Sequence, residues 1–155
     1  MRANQEKFAA RKHDLMQAIL AVNDLFYIAQ SNVANFFLED VGLWLDNADV
    51  RYVERVTLKG HSGYDHRFDF AIPKSKHAPE RLLRVINNPN KENAQNVAFA
   101  WLDTKNGRPA DSLAFAILND NNLKIGSTVE SALLKYDVTP IEWSKRGEFL
   151  ERLAA

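Results

Sequence analysis

"VAFAWLDTKNGRPADSLAFAIL", residues 97–118, is the stretch whose reading decides the sheet of this chain. Two short apolar runs flank Asn106-Gly107, the strongest turn signal in the sequence, because both residue types tolerate the left-handed backbone of a tight hairpin turn. Each run alternates. Val97, Phe99 and Trp101 share one face of an extended chain, with alanines between them, and Leu113, Phe115 and Ile117 repeat the pattern. The stretch therefore predicts a β-hairpin with Phe99, Trp101, Phe115 and Ile117 buried. The small residues on the second face predict close packing by helices.

Upstream, "VRYVERVTLK" (50–59) and "YDHRFDFAI" (64–72) also alternate, and "GHSG" (60–63) joins them as a first hairpin. "PKSKHAPER" (73–81) ends that strand and is expected to open a helix, with Pro79 in the first turn, "RLLRVI" (81–86) as the apolar face and "NNPN" (87–90) as the stop. Near the N-terminus Phe8, Leu15, Ile19, Val22 and Phe26 recur at helical spacing. Ser31 is expected to cap a second helix carrying Val33, Phe36, Phe37, Val41 and Trp44. This pair should pack on the sheet through Leu15, Ile19, Phe36 and Phe37. Downstream, "STVE" (127–130) has the capping-box pattern, "TPIEW" (139–143) reads as a short strand and "SKRGEFLERLA" (144–154) as a closing helix.

The expected fold is a single α+β domain over 1–155, with an antiparallel or mixed sheet built from two hairpins. It divides into an N-terminal helical pair (5–45), a sheet-containing core (50–143) and a closing helix (144–153).

Composition limits the function classes. Twenty basic residues balance twenty acidic ones, which speaks against both a strongly basic nucleic-acid binder and an acidic mimic. The absence of cysteine excludes disulfides and thiolate metal sites. The longest apolar runs, such as "AILAV" (18–22), are too short to span a bilayer, and the N-terminus lacks a signal-peptide core. A cytoplasmic location without membrane attachment is expected.

Two chemistries compete. Metal-dependent nucleases of the PD-(D/E)xK type hold magnesium with an acid on one strand and an acid-x-lysine on its neighbour. Asp69 in "RFDF" and Asp103 with Lys105 in "LDTK" match those types, and Glu54 falls among apolar residues of its strand, where a charge needs a partner or a metal. The alternative is a binding surface that needs neither magnesium nor any small-molecule cofactor. His61, Asp65 and His66 in "GHSGYDH" form a polar loop that also offers metal-ligand types. Lys74, Lys76, His77, Arg81 and Arg84 form a basic strip suited to phosphate or carboxylate.

"KHDLMQAILAVNDLFYIAQ", "SGYDHRFDFAIPKSKHAPER", "NNPNKENAQNVAFAWLDTK", "AFAILND" and "PIEWSKR" closely resemble the bacterial and prophage family built on the domain of unknown function DUF1829. The resemblance runs from about Lys7 to about Leu150. It supplies no catalytic residues. It implies a further N-terminal domain in most members, so this chain is expected to be a free-standing version or a trimmed one. The phage association favours a binding, inhibitory or accessory role in phage–host or mobile-element conflict, toward a macromolecular partner that is protein rather than nucleic acid. The expected binding residues are His61, Asp65, His66, Lys74, Lys76, His77 and Arg81.

Overall fold

The structure is a computed structural model. It describes residues 3–121 and 124–154, with the side chains of 3–10 and 30–32 left aside. The chain divides into two compact units, Met1–Phe36 and Phe37–Ala155.

The described backbone of the first unit, from Ala3 on, is helical and belongs to α1 (Ala3–Asn47). One helix stands where two were expected, since the backbone remains helical across residues 30–32. Leu15, Ile19 and Phe36 are exposed rather than packed, whereas Phe37, the first residue of the second unit, is buried.

The second unit holds every described strand. Its sheet runs β1 (Val53–Lys59), β2 (Asp65–Ile72), β3 (Arg81–Ile86), β4 (Leu113–Leu118), β5 (Val138–Glu142) in that spatial order. The β1–β2 and β2–β3 pairs are antiparallel, while β3–β4 and β4–β5 are parallel. Parallel neighbours need a crossover, and α2 (Lys91–Lys105) and α3 (Ser127–Lys135) supply the two. A short 3-10 segment (Trp143–Phe149) and α4 (Leu150–Ala154) close the chain. The fold is α+β with a mixed sheet, but only its first half is a hairpin.

Two cores sandwich the sheet. On one face Phe68, Leu82, Ala114, Ala116 and Leu118 pack with Ala94, Val97 and Trp101 of α2 and Val129 and Leu133 of α3. On the other, Phe70, Leu83, Phe115, Ile117 and Ile141 pack with Phe37, Val41 and Leu45 from the end of α1 and with Trp143 and Leu153.

Residues 97–105 are therefore helix, not strand. Ala94, Val97, Ala98, Trp101 and Thr104 are buried at helical spacing, and the alanines let α2 lie close to the sheet. Asn90 caps the helix, its side chain accepting from Asn93 N at 2.9 Å. Trp101, Phe115 and Ile117 are buried as expected, but Phe99 turns outward at 51% exposure. Asn106-Gly107 ends α2 instead of turning a hairpin.

The second correction concerns 81–86, which form β3 rather than a helix. A strand covered on both faces reads as a continuous apolar run, so alternation is lost. The preceding loop is held by Ser75 Oγ, which accepts from the backbone N–H groups of His77 (3.1 Å) and Ala78 (3.0 Å).

The β1–β2 hairpin contains a change of face. Val50 and Tyr52 belong to the α1-side core but Val56 and Leu58 to the α2-side core. Phe68 and Phe70, two residues apart, are likewise split between the cores. A regular strand would keep such pairs together. The break lies at Arg55, whose φ is +55°, and at Asp69 opposite it. Because both strands change face together, the register is the same on either side: Glu54 faces Phe70, and Val56 faces Phe68.

Candidate functional site

The change of face opens a cleft of about 310 Å³ between the end of α1 and the hairpin. Its apolar lining is Leu38, Leu43 and Phe70, with Gly42 of the helix. Four carboxylates, Glu39, Asp46, Glu54 and Asp69, line it together with Tyr52 and Arg55. A non-glycine residue in the left-handed region costs about 1–3 kcal/mol and persists only when its surroundings enforce it. Arg55 is therefore held in a costly conformation at the rim of the cleft.

Some of these groups are already engaged. The Tyr52 hydroxyl donates to Asp46 Oδ1 at 2.8 Å. Burial, and then the neighbouring Asp46 carboxylate, push the phenol up to about 12. Asp69 Oδ2 accepts the backbone N–H of Val85 at 2.7 Å, and the Arg84 guanidinium lies 3.8 Å away. Arg84 in turn donates to the Arg67 carbonyl. Asp69 and Arg84 thus take over the β2–β3 ladder where the register leaves off at Phe70–Leu83. Glu54 is exposed and lines the cleft on the same side as Tyr52, not buried in an apolar layer. Among the described residues, no three acids or histidines converge as a metal site.

Asp103 and Lys105 belong elsewhere. Both lie on α2, which covers the opposite face of the sheet from this cleft. Asp103 receives the hairpin loop: Ser62 N donates at 2.8 Å, the Ser62 hydroxyl donates to Oδ2, and His66 Nε2 lies 2.6 Å from Oδ2. The Ser62 hydroxyl bond, with His66 assisting, lowers the Asp103 carboxyl to about 2, so an ionised carboxylate faces His66 Nε2. Serine and histidine both address the carboxylate, so no proton path runs from the hydroxyl to the imidazole. A Cβ at Gly60 would lie 1.9 Å from Asp103 Oδ2, which explains the glycine. Lys105 pairs with Asp137 at 3.0 Å, tying the end of α2 to the end of α3.

The remaining expected residues do not form one patch. His61 is exposed on the hairpin loop and Asp65 at the start of β2, while His66 is spent on Asp103. Lys76 and His77 are exposed, and Lys74 pairs with Asp111 at 2.8 Å. Arg81, expected at a surface, is 1% exposed, and its guanidinium donates to the carbonyls of Pro73 and Arg152, each at 3.3 Å.

Sequence reasoning missed a second cleft of about 820 Å³, lined by Asp120, Lys124, Ser127, Glu130, Glu142 and Lys145. It lies where β4 and β5 end and α3 begins, the carboxyl edge that ligands favour in parallel sheets. Only the strand–helix–strand order, not any local motif, announces it.

The family model for Domain of unknown function DUF1829 matches residues 60–146. The chain belongs to that family. The DUF1829 match contains the hairpin loop, Asp69, the basic loop, α2 and the second cleft, but begins after Glu54 and the carboxyl half of α1. No curated protein and no solved structure matches the chain. Among the described residues, no helix is long and apolar enough to cross a membrane.

Proposed function

We propose that the chain is a binding module whose acidic cleft takes a basic segment of a protein partner, in an inhibitory or accessory role in phage–host or mobile-element conflict. The observation that carries this reading is the cleft itself. Carboxylates and apolar side chains line it together, a combination that suits the charged head and aliphatic stem of lysine or arginine. Asp46 and Asp69 are fixed by their hydrogen bonds, leaving Glu39 and Glu54 as exposed groups to meet a cation. The test is calorimetry of the chain with lysine- and arginine-rich peptides against glutamate-rich ones. Saturable binding of the basic peptides, lost in Glu54→Lys, supports the reading; equal heats for both classes defeat it.

A magnesium-dependent nuclease is the second reading, because Glu54 and Asp69 share this cleft from neighbouring strands. It rests on these two acids and not on Asp103 or Lys105. Magnesium- or manganese-dependent cutting of DNA or RNA, abolished by Asp69→Asn and Glu54→Gln, would replace the binding reading.

A further inference from the structure

We infer that residues 15–36 of α1 form a self-association seam, whose occupant is a second copy of this chain. The seam is separate from the acidic cleft and does not depend on it. Starting at Leu15, alternating steps of four and three reach Ile19, Val22, Phe26, Ala29, Val33 and Phe36. That is the spacing of a two-stranded coiled coil, which a partner helix must match with the same spacing. A second copy meets the requirement by construction.

The stripe is uncovered. Its large members are between 52% and 65% exposed, and a unit described only by one helix has no core of its own in which to bury them. Complete covering of this stripe in both copies would remove at most on the order of 1,300 Å² from water, the low end of the range of about 1,200–2,000 Å² typical of stable interfaces. Six large apolar side chains exposed along one helix mark an interaction face.

Charge permits the pairing. Between Leu15 and Leu38 the only Asp, Glu, Lys, Arg or His is Asp24, which is off the stripe. Arg11 and Lys12 sit at the amino end. An antiparallel arrangement keeps these cations of the two copies apart, so that orientation is the favoured one.

Sedimentation equilibrium of the full chain tests the seam. The expected result is a reversible dimer. Ile19→Glu with Phe26→Glu should shift it to monomer, Leu20→Glu, off the stripe, should leave it a dimer, and Ala29→Leu should tighten association by about tenfold. Ala29→Leu keeps the test decisive if the glutamate variant fails to fold, because it adds apolar surface only within the seam. A chain that stays monomeric at several hundred micromolar overturns the inference, as does an Ala29→Leu variant with unchanged association or a Leu20→Glu variant as monomeric as the seam variant. Monomer in buffer with transfer to anionic-lipid vesicles overturns it in favour of a membrane surface.

Discussion

Asp69 and Arg55 face each other across the β1–β2 ladder at the point where both strands change face. The carboxylate then serves as a backbone surrogate, accepting the Val85 N–H at 2.7 Å. Asp69→Ala should cost about 1–3 kcal/mol, because it leaves that donor without its partner, and Asp69→Asn should cost less because it keeps an oxygen acceptor. Urea unfolding midpoints check both, and equal midpoints for Asp69→Ala and the parent would show that β3 does not need the carboxylate.

Hairpin docking on Asp103 carries a pH dependence. Its carboxyl is held near 2, below the ordinary value of about 4, so the folded state favours the charged form. The resulting stability is present above about pH 4 and is lost as the pH falls through about 2. Asp103→Asn should lower stability at neutral pH and flatten the slope in that window, measured by thermal unfolding from pH 6 down to pH 2. An unchanged slope would place the acid sensitivity elsewhere.

Tyr52 makes the opposite prediction at high pH. Its phenol, raised to about 12, stays protonated through the range where a free tyrosine ionises near 10. Stability from the neutral phenol is present below about pH 10 and lost as the pH rises through about 12. In an ultraviolet titration, Tyr52→Phe should remove the last tyrosine step; losing an earlier step instead would contradict the Asp46 contact.

Trp101 separates packing from hydrogen bonding. The side chain is 4% exposed, yet its indole N–H has no hydrogen-bond partner among the described residues. Trp101→Ala should cost about 3–5 kcal/mol through the cavity it leaves, while Trp101→Phe, with no hydrogen bond to lose, should cost roughly 1–2 kcal/mol. Chemical denaturation of the pair decides it, and equal losses would point to an indole partner.

The first hairpin, α3 and β5 were legible because each carries a local signal: alternation, an apolar run at helical spacing, a short β-rich run. The capping box expected at 127–130 does not form, since Gly126 is the N-cap of α3 and no side chain caps it. α2 and β3 were exchanged in type for reasons that are not local. "VAFAWLD" satisfies both periods, and only its placement as a crossover between parallel strands selects the helix. Asn90, with its side chain on Asn93 N, was the available signal for that helix and was read as a stop instead. The same exchange moved Asp103 and Lys105 from a strand beside Asp69 onto the far layer, so the alternative metal-binding set of Asp69, Asp103 and Lys105 does not assemble. The acidic cleft lies where the hairpin changes face, marked by the positive φ of Arg55 and by the split of Phe68 and Phe70 between the two cores, and no residue pattern in either strand signals it.

The sheet's spatial order is also its chain order, β1 through β5. As the polypeptide leaves the ribosome, each new strand therefore meets a neighbour that has already been made, and no strand must wait exposed for a later one to be inserted beside it. Loop-closure entropy is paid in small instalments, first across the five-residue loop (60–64) and later across one crossover helix at a time. A ribosome-stalled series should accordingly gain protease resistance stepwise, strand after strand, with the last increment arriving when Ile141, Trp143 and Leu153 reach the α1-side core.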